Sequence, residues 1–111
     1  MINVLISSEA GVTRAEVQGS IDGQTAPMVR EELQPVIESA QKLILDLTQV
    51  SYLSSAGLRL LLLLYREFTA KNGKLVMVGV SPDIRAVMSH TGFLSFFDLA
   101  DTHQEALRRV G

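Results

Sequence analysis

The sequence contains no cysteine, which excludes disulfides, thiol catalysis and cysteine-ligated metal sites. An excess of positive charge is also missing. Ten lysines and arginines stand against twelve aspartates and glutamates, a formal net charge of -2, so no basic nucleic-acid face is expected. No apolar run is long enough for a membrane insertion. The leucines from Leu60 to Leu64 fall far short of the ~20 residues a span requires, and Arg59 and Arg66 bracket them. Met1-Ile-Asn-Val lacks the basic segment and apolar stretch of a signal peptide, so a cytoplasmic protein is expected. Internal repeats and low-complexity linkers are absent.

Catalytic signatures are missing as well. No G-x-S-x-G elbow surrounds Ser54 and Ser55, and there is no Walker loop, G-x-G-x-x-G or H-E-x-x-H. A serine hydrolase needs a base and a group that orients it. His90 and His103 lie near helix ends in the C-terminal third and read as surface or capping residues. The expectation is a non-enzyme without cofactor or metal.

What is present suits one folded domain over residues 1–111: 47% of the residues are hydrophobic and 20% charged. Asn3 to Ser7 and a run from Gly11, in which Val12, Ala15 and Val17 alternate with polar residues, read as two strands joined around Glu9-Ala10-Gly11. They form an edge hairpin. Gly19 to Pro27 reads as a loop. Thr25 is placed to cap the next helix, with Pro27 in its first turn. Val29, Leu33, Val36, Ile37 and Ala40 recur at helical spacing, and Pro35 is expected to kink or shorten that helix. Glu31, Glu32 and Glu38 face water.

Lys42 to Leu47 reads as a strand covered on both faces. Asp46 near its end invites comparison with the phospho-acceptor of response-regulator receivers. A receiver also needs an acidic cluster near the end of its first strand to hold magnesium; Ile2 to Ser8 supplies none, and only Glu9 follows it. A polar elbow follows, then a second short apolar segment from Val50 to Leu53. Ser54-Ser55-Ala56-Gly57 opens the longest helix, Ala56 to Lys71. Leu58, Leu61, Leu62 and Tyr65 share one face of that helix; Leu60, Leu63, Leu64 and Phe68 widen it. Gly73 suits a left-handed cap at its end.

Lys74 to Val80 is a further strand. Ser81-Pro82-Asp83 starts a helix with Ile84, Val87 and Met88 inward, which Gly92 stops. Phe93, Leu94, Phe96 and Phe97 form an apolar group that includes a short last strand. Asp101 to Gln104 reads as a capping box for a final helix, with Ala106, Leu107 and Val110 inward. Strands alternating with helices imply right-handed crossovers and a partly parallel sheet. The fold class is therefore α/β: a small mixed sheet with an N-terminal edge hairpin, packed by about four helices.

The two serines at the start of the long helix carry the functional question. Serine is a favoured N-cap, because its oxygen accepts a bond from an otherwise orphaned amide. The same first turn suits a phosphate, since unpaired N–H groups and the helix dipole favour negative charge there. A serine without a base of its own is a poor nucleophile but a good substrate for a kinase. The residues alone leave capping and phosphorylation both open.

At these positions the chain resembles the STAS domains of bacterial anti-sigma factor antagonists. Gly19-Ser20-Ile21-Asp22 is similar to the family's Gly-x-[Ile/Leu]-Asp loop. Thr25-Ala26-Pro27 with Arg30-Glu31-Glu32-Leu33 is similar to its first helix start. The run Thr48-Gln49-Val50-Ser51-Tyr52-Leu53-Ser54-Ser55-Ala56-Gly57-Leu58 resembles its central signature, and Thr91-Gly92-Phe93 its late Thr-Gly element. The resemblance implies a STAS-like fold and a partner switch. The unphosphorylated antagonist binds an anti-sigma factor with serine kinase activity, which releases the sigma factor. Phosphorylation abolishes that binding, and a PP2C-type phosphatase resets it. On this resemblance the phospho-acceptor falls on Ser55, with Ser54 as the alternative. The partner-binding residues fall on Asp22, Thr25, Ser54, Ser55, Ala56, Gly57 and Leu58. The free protein is expected to be a monomer. Ser54 stands where the family usually has an acidic residue. That departure keeps open an alternative: a STAS subunit that docks in a transporter or signalling assembly and is never phosphorylated.

Overall fold

The computed structural model describes residues 2–111. Its elements are β1 (Asn3–Glu9), β2 (Val12–Ile21), α1 (Ala26–Ser39), β3 (Lys42–Leu53), α2 (Ser55–Ala70), β4 (Lys74–Val78), α3 (Pro82–His90), β5 (Leu99–Ala100) and α4 (His103–Val110), with a 3₁₀ turn at Leu94–Phe96 before β5. The strands form one sheet in the order β1-β2-β3-β4-β5. β1 and β2 are antiparallel, and every other neighbouring pair is parallel. The β1–β2 hairpin closes through Ala10 and Gly11, both at positive φ (53° and 82°), the left-handed pair that matches strand twist in a two-residue turn.

The two faces of the sheet are covered unequally. Leu43, Leu45 and Leu47 of β3 point to one face, where they meet α1 through Val29 and Leu33, α2 through Leu58, Leu61, Leu64 and Phe68, and α3 through Ile84 and Met88. Ile44, Val76, Val78 and Ala100 point to the reverse face, against Ala106 and Val110 of α4. This explains the unbroken apolar run at the start of β3, since strands wet on one side alternate. Asp46 also points to the reverse face. It is buried, at 8% exposure, and is held by Arg14 and by the Thr48 hydroxyl and amide, which donate to Oδ1 at 2.6 and 2.9 Å. Burial pushes the Asp46 carboxyl up, but the Thr48 bonds and the Arg14 charge outweigh it and hold the carboxyl below its ordinary range.

The positions nearest the site depart from the sequence reading. The polar elbow does not interrupt β3, which continues as one strand through Thr48 and Gln49 to Leu53. Its pairing with β2 slips between Glu16 and Gln18 and again between Gly19 and Ser20. These irregularities let the polar pair pass within one strand. β2 correspondingly reaches Ile21, so the loop before α1 is only residues 22–25. Pro35 does not end α1, which continues to Ser39. The N–H a proline lacks there would have served a carbonyl on the exposed side, at Glu31.

Smaller corrections lie further along. Asn72, not Gly73, takes the left-handed conformation after α2. Gly73 is instead pressed against the Gln41 carbonyl, 2.8 Å from where a Cβ would sit. β4 stops at Val78, and β5 is two residues long and follows the phenylalanine group. The final cap is shifted by one residue: Thr102 accepts from the Glu105 amide at 3.1 Å, and the Glu105 carboxylate accepts from the Asp101 amide at 2.8 Å. Val87 and Leu107, expected inward, are exposed at the rims of their helices.

Candidate functional site

β2 and β3 end side by side, with Ile21 opposite Leu53. The loop 22–25 and the first turn of α2 therefore emerge together at one end of the sheet. The Ser54 amide donates to the Ile21 carbonyl at 2.9 Å and fastens the two exits. Gly57 makes this junction possible. A Cβ built on it would lie 2.6 Å from the Ile21 carbonyl oxygen and 2.7 Å from Leu53 Cδ1. Only a glycine lets the helix approach the strand ends this closely.

The loop is braced from within. Asp22 Oδ1 accepts from the amides of Gln24 and Thr25 at 2.9 and 3.0 Å. These two amides, Thr25 first, hold the Asp22 carboxyl below its ordinary range, against a smaller opposing push from burial. Thr25 occupies the N-cap position of α1 but does not cap it. Its hydroxyl donates to the Ser20 carbonyl at 2.7 Å and accepts from the Asp22 amide at 2.9 Å. The side chain expected to satisfy the helix ties the loop to the end of β2 instead.

The two serines part company. Ser54 is the N-cap of α2, and its hydroxyl accepts from the Gly57 amide at 3.2 Å. Ser55 is the first helical residue and is exposed, and no hydrogen bond engages its hydroxyl among the described residues. The first turn of α2 carries no acidic residue. Ala56 is half-buried, while Gly57 and Leu58 are buried and support the turn from below. Asp22, Thr25, Ser54, Ser55 and Ala56 are thus gathered on one surface.

Beside this surface lies a groove of about 340 Å³ between α1 and α2, lined by Gly23, Ala26, Pro27, Ala56, Leu60 and Leu63 with Arg30 and Arg59. Arg30 pairs across the helices with both carboxylate oxygens of Glu67. Large apolar side chains are exposed in α1 at Met28 (54%), in α2 at Leu63 (44%) and near the end of β3 at Tyr52 (56%). The groove and the exposure of Leu63 were not legible in the sequence, because the leucines of α2 surround most of the helix. The Arg30–Glu67 pair was invisible for another reason: its partners lie 37 residues apart. Among the described residues no cluster of histidines and carboxylates could hold a metal ion. No helix among them is long and apolar enough to cross a membrane.

The STAS domain family profile matches residues 4–106. The chain belongs to the STAS domain family. BtrV of Bordetella bronchiseptica is 33% identical over 97 residues, covering 86% of this chain and 84% of BtrV. The anti-sigma-B factor antagonist of Listeria monocytogenes is 30% identical over 90 residues, covering 80% of this chain and 79% of that protein. The crystal structure of an anti-sigma factor antagonist from Mycobacterium paratuberculosis matches with a TM-score of 0.89 at 32% identity, over 99% of this chain and 94% of that one. The mixed sheet with α4 on its reverse face is thus a STAS fold, and the paired serines stand at the opening of its long helix.

Proposed function

We propose that this STAS domain is an anti-sigma factor antagonist whose grip on its partner is controlled by phosphorylation of Ser55. The partner is an anti-sigma factor with serine kinase activity, and a PP2C-type phosphatase removes the phosphate. The domain works in the cytoplasm and is a monomer between partners. The observation that carries the reading is the division between the serines. Ser54 is engaged as a cap, and Ser55 offers a free, exposed hydroxyl on the surface shared with Asp22 and Ala56.

The physical chemistry supports a switch of binding rather than of folding. A phosphoserine adds about -1.5 to -2 charges at neutral pH. At the first residue of a helix this charge meets the positive end of the dipole, worth about 0.3–1 kcal/mol in its favour, so the domain stays folded. A partner packed over Ser55 and the neighbouring apolar side chains meets the opposite situation. It must desolvate the new charge, at a cost of several kcal/mol unless a matching cation is supplied. The same hydroxyl thus changes affinity strongly and stability little.

The test is a calorimetric titration of the protein against its kinase-type anti-sigma factor. Ser55→Asp is expected to weaken binding at least tenfold, with the unfolding free energy unchanged within about 0.5 kcal/mol. Undiminished affinity in Ser55→Asp sinks the proposal.

A further inference from the structure

Arg59 stands one helical turn after Ser55, and residues four apart lie one above the other on a helix face. Its neighbours leave it unclaimed. The other arginine of the groove, Arg30, is taken by Glu67. Arg59 is exposed and forms no ion pair among the described residues, although it lines the groove next to Ala56. No carboxylate on its own helix stands at the spacing that would claim it, since the first turn of α2 has no acidic residue. An unpaired cation on the groove wall therefore stands one helical turn from the Ser55 hydroxyl.

We propose that Arg59 is the internal counter-ion of a phosphate on Ser55. The inference rests on the phosphorylation reading and adds what happens to the phosphate afterwards. Guanidinium presents two parallel N–H donors that match two phosphate oxygens, and an acid N-terminal to a base at this spacing is the favoured order on a helix. Once the phosphate is attached, Arg59 folds back along α2 and closes on it. Two consequences follow for the switch. The phosphate is held against the helix, so the phosphorylated state is stabilised without help from a partner. The guanidinium is withdrawn from the groove wall, so a partner carboxylate that meets Arg59 in the unphosphorylated protein loses its contact at the same moment. One modification thus changes two features of the surface. The other charged side chain lining the groove is Arg30 on α1, and Asp22 stands in the adjoining loop. Asp22 is braced by the amides of Gln24 and Thr25, and Arg30 by Glu67. Arg30 is thus already committed, and Asp22, an anion, offers a phosphate no counter-charge.

The test does not depend on any kinase. Full-length protein with phosphoserine installed at position 55 during synthesis is titrated by phosphorus NMR, with Arg59 intact, as Arg59→Gln and as Arg59→Lys. Arg66→Gln serves as the control for loss of charge alone, since Arg66 lies about 10 Å further along α2 than Arg59. The expected result is a second phosphate pKa lower by about half a unit with Arg59 than with Arg59→Gln. Arg59→Lys should recover part of the shift, and Arg66→Gln should leave it nearly intact. Equal titrations with and without Arg59, or an equal effect of Arg66→Gln, overturn the proposal. The phosphate is installed by synthesis, so this outcome is independent of whether Ser55 is modified in the cell.

Discussion

The hydroxyl of Ser54 accepts the Gly57 amide at 3.2 Å, and that bond separates two adjacent serines into a structural one and a free one. A first consequence concerns stability. Ser54→Ala removes a cap and should cost about 1 kcal/mol, a fall of about 4 °C in the melting temperature. Ser55→Ala removes no bond and should change stability by less than about 0.5 kcal/mol. Thermal unfolding of the two variants side by side checks the division. Equal losses would contradict it.

Gly57→Ala sets two effects against each other. Alanine favours helix over glycine by about 1 kcal/mol. The added Cβ, however, would sit 2.6 Å from the Ile21 carbonyl oxygen, a backbone atom that moves only if the strand end moves. Overpacking of this kind costs about 1–3 kcal/mol. Net destabilisation of up to about 2 kcal/mol is expected in a denaturant titration. The end of β2 should shift with it, which amide chemical shifts at Ile21 and Asp22 would report. A stabilised variant would show that the close approach is relaxed in solution.

Asp46 and Asp22 both contribute stability that acid removes. Both carboxyls are held below their ordinary value, so each binds its proton less readily folded than unfolded. Their contribution to stability is present above about pH 4, the unfolded value, and is lost as pH falls through the lower folded values. Asp46→Asn keeps the shape but removes the charge that faces Arg14. It should cost about 2 kcal/mol at pH 7. Because the variant no longer has this proton to take up, its stability should fall less steeply below pH 4. Parallel pH–stability curves for the variant and the original chain would count against the role given to Asp46.

The groove between α1 and α2 yields a prediction about binding alone. Leu63 is exposed there, so Leu63→Ala should leave the melting temperature within about 2 °C. If the partner covers the groove, the same change should weaken its binding by about 1–2 kcal/mol. A titration with unaltered affinity would place the partner elsewhere.

The sequence carried the element order and the main buried faces, because both rest on periodicity. Leu43, Leu45 and Leu47 are buried as that pattern requires, as are Leu58 and Leu61, but the buried face of α2 is rotated towards Leu60, Leu64 and Phe68, leaving Leu62 and Tyr65 half-buried. It misplaced features that depend on where neighbouring elements end. The polar pair Thr48-Gln49 reads as a break, yet β3 crosses it, because its pairing with β2 tolerates local slips that no single strand reveals. Thr25 reads as a cap, yet its hydroxyl is claimed by Ser20, which is close only once β2 extends to Ile21. Val87 and Leu107 fit an apolar stripe but lie at its rim, beside the fully buried Met88 and Ala106. At the site, the motif located both serines, and geometry separated them, since the cap bond depends on the exact turn at which α2 begins.

The most direct test of the central claim is intact-mass and phosphopeptide mapping of the protein isolated from its own cells, with and without phosphatase treatment. A single phosphate on Ser55, removed by the phosphatase, is the result predicted. A phosphate on Ser54, or none under any growth condition in which the partner kinase is present, would contradict it.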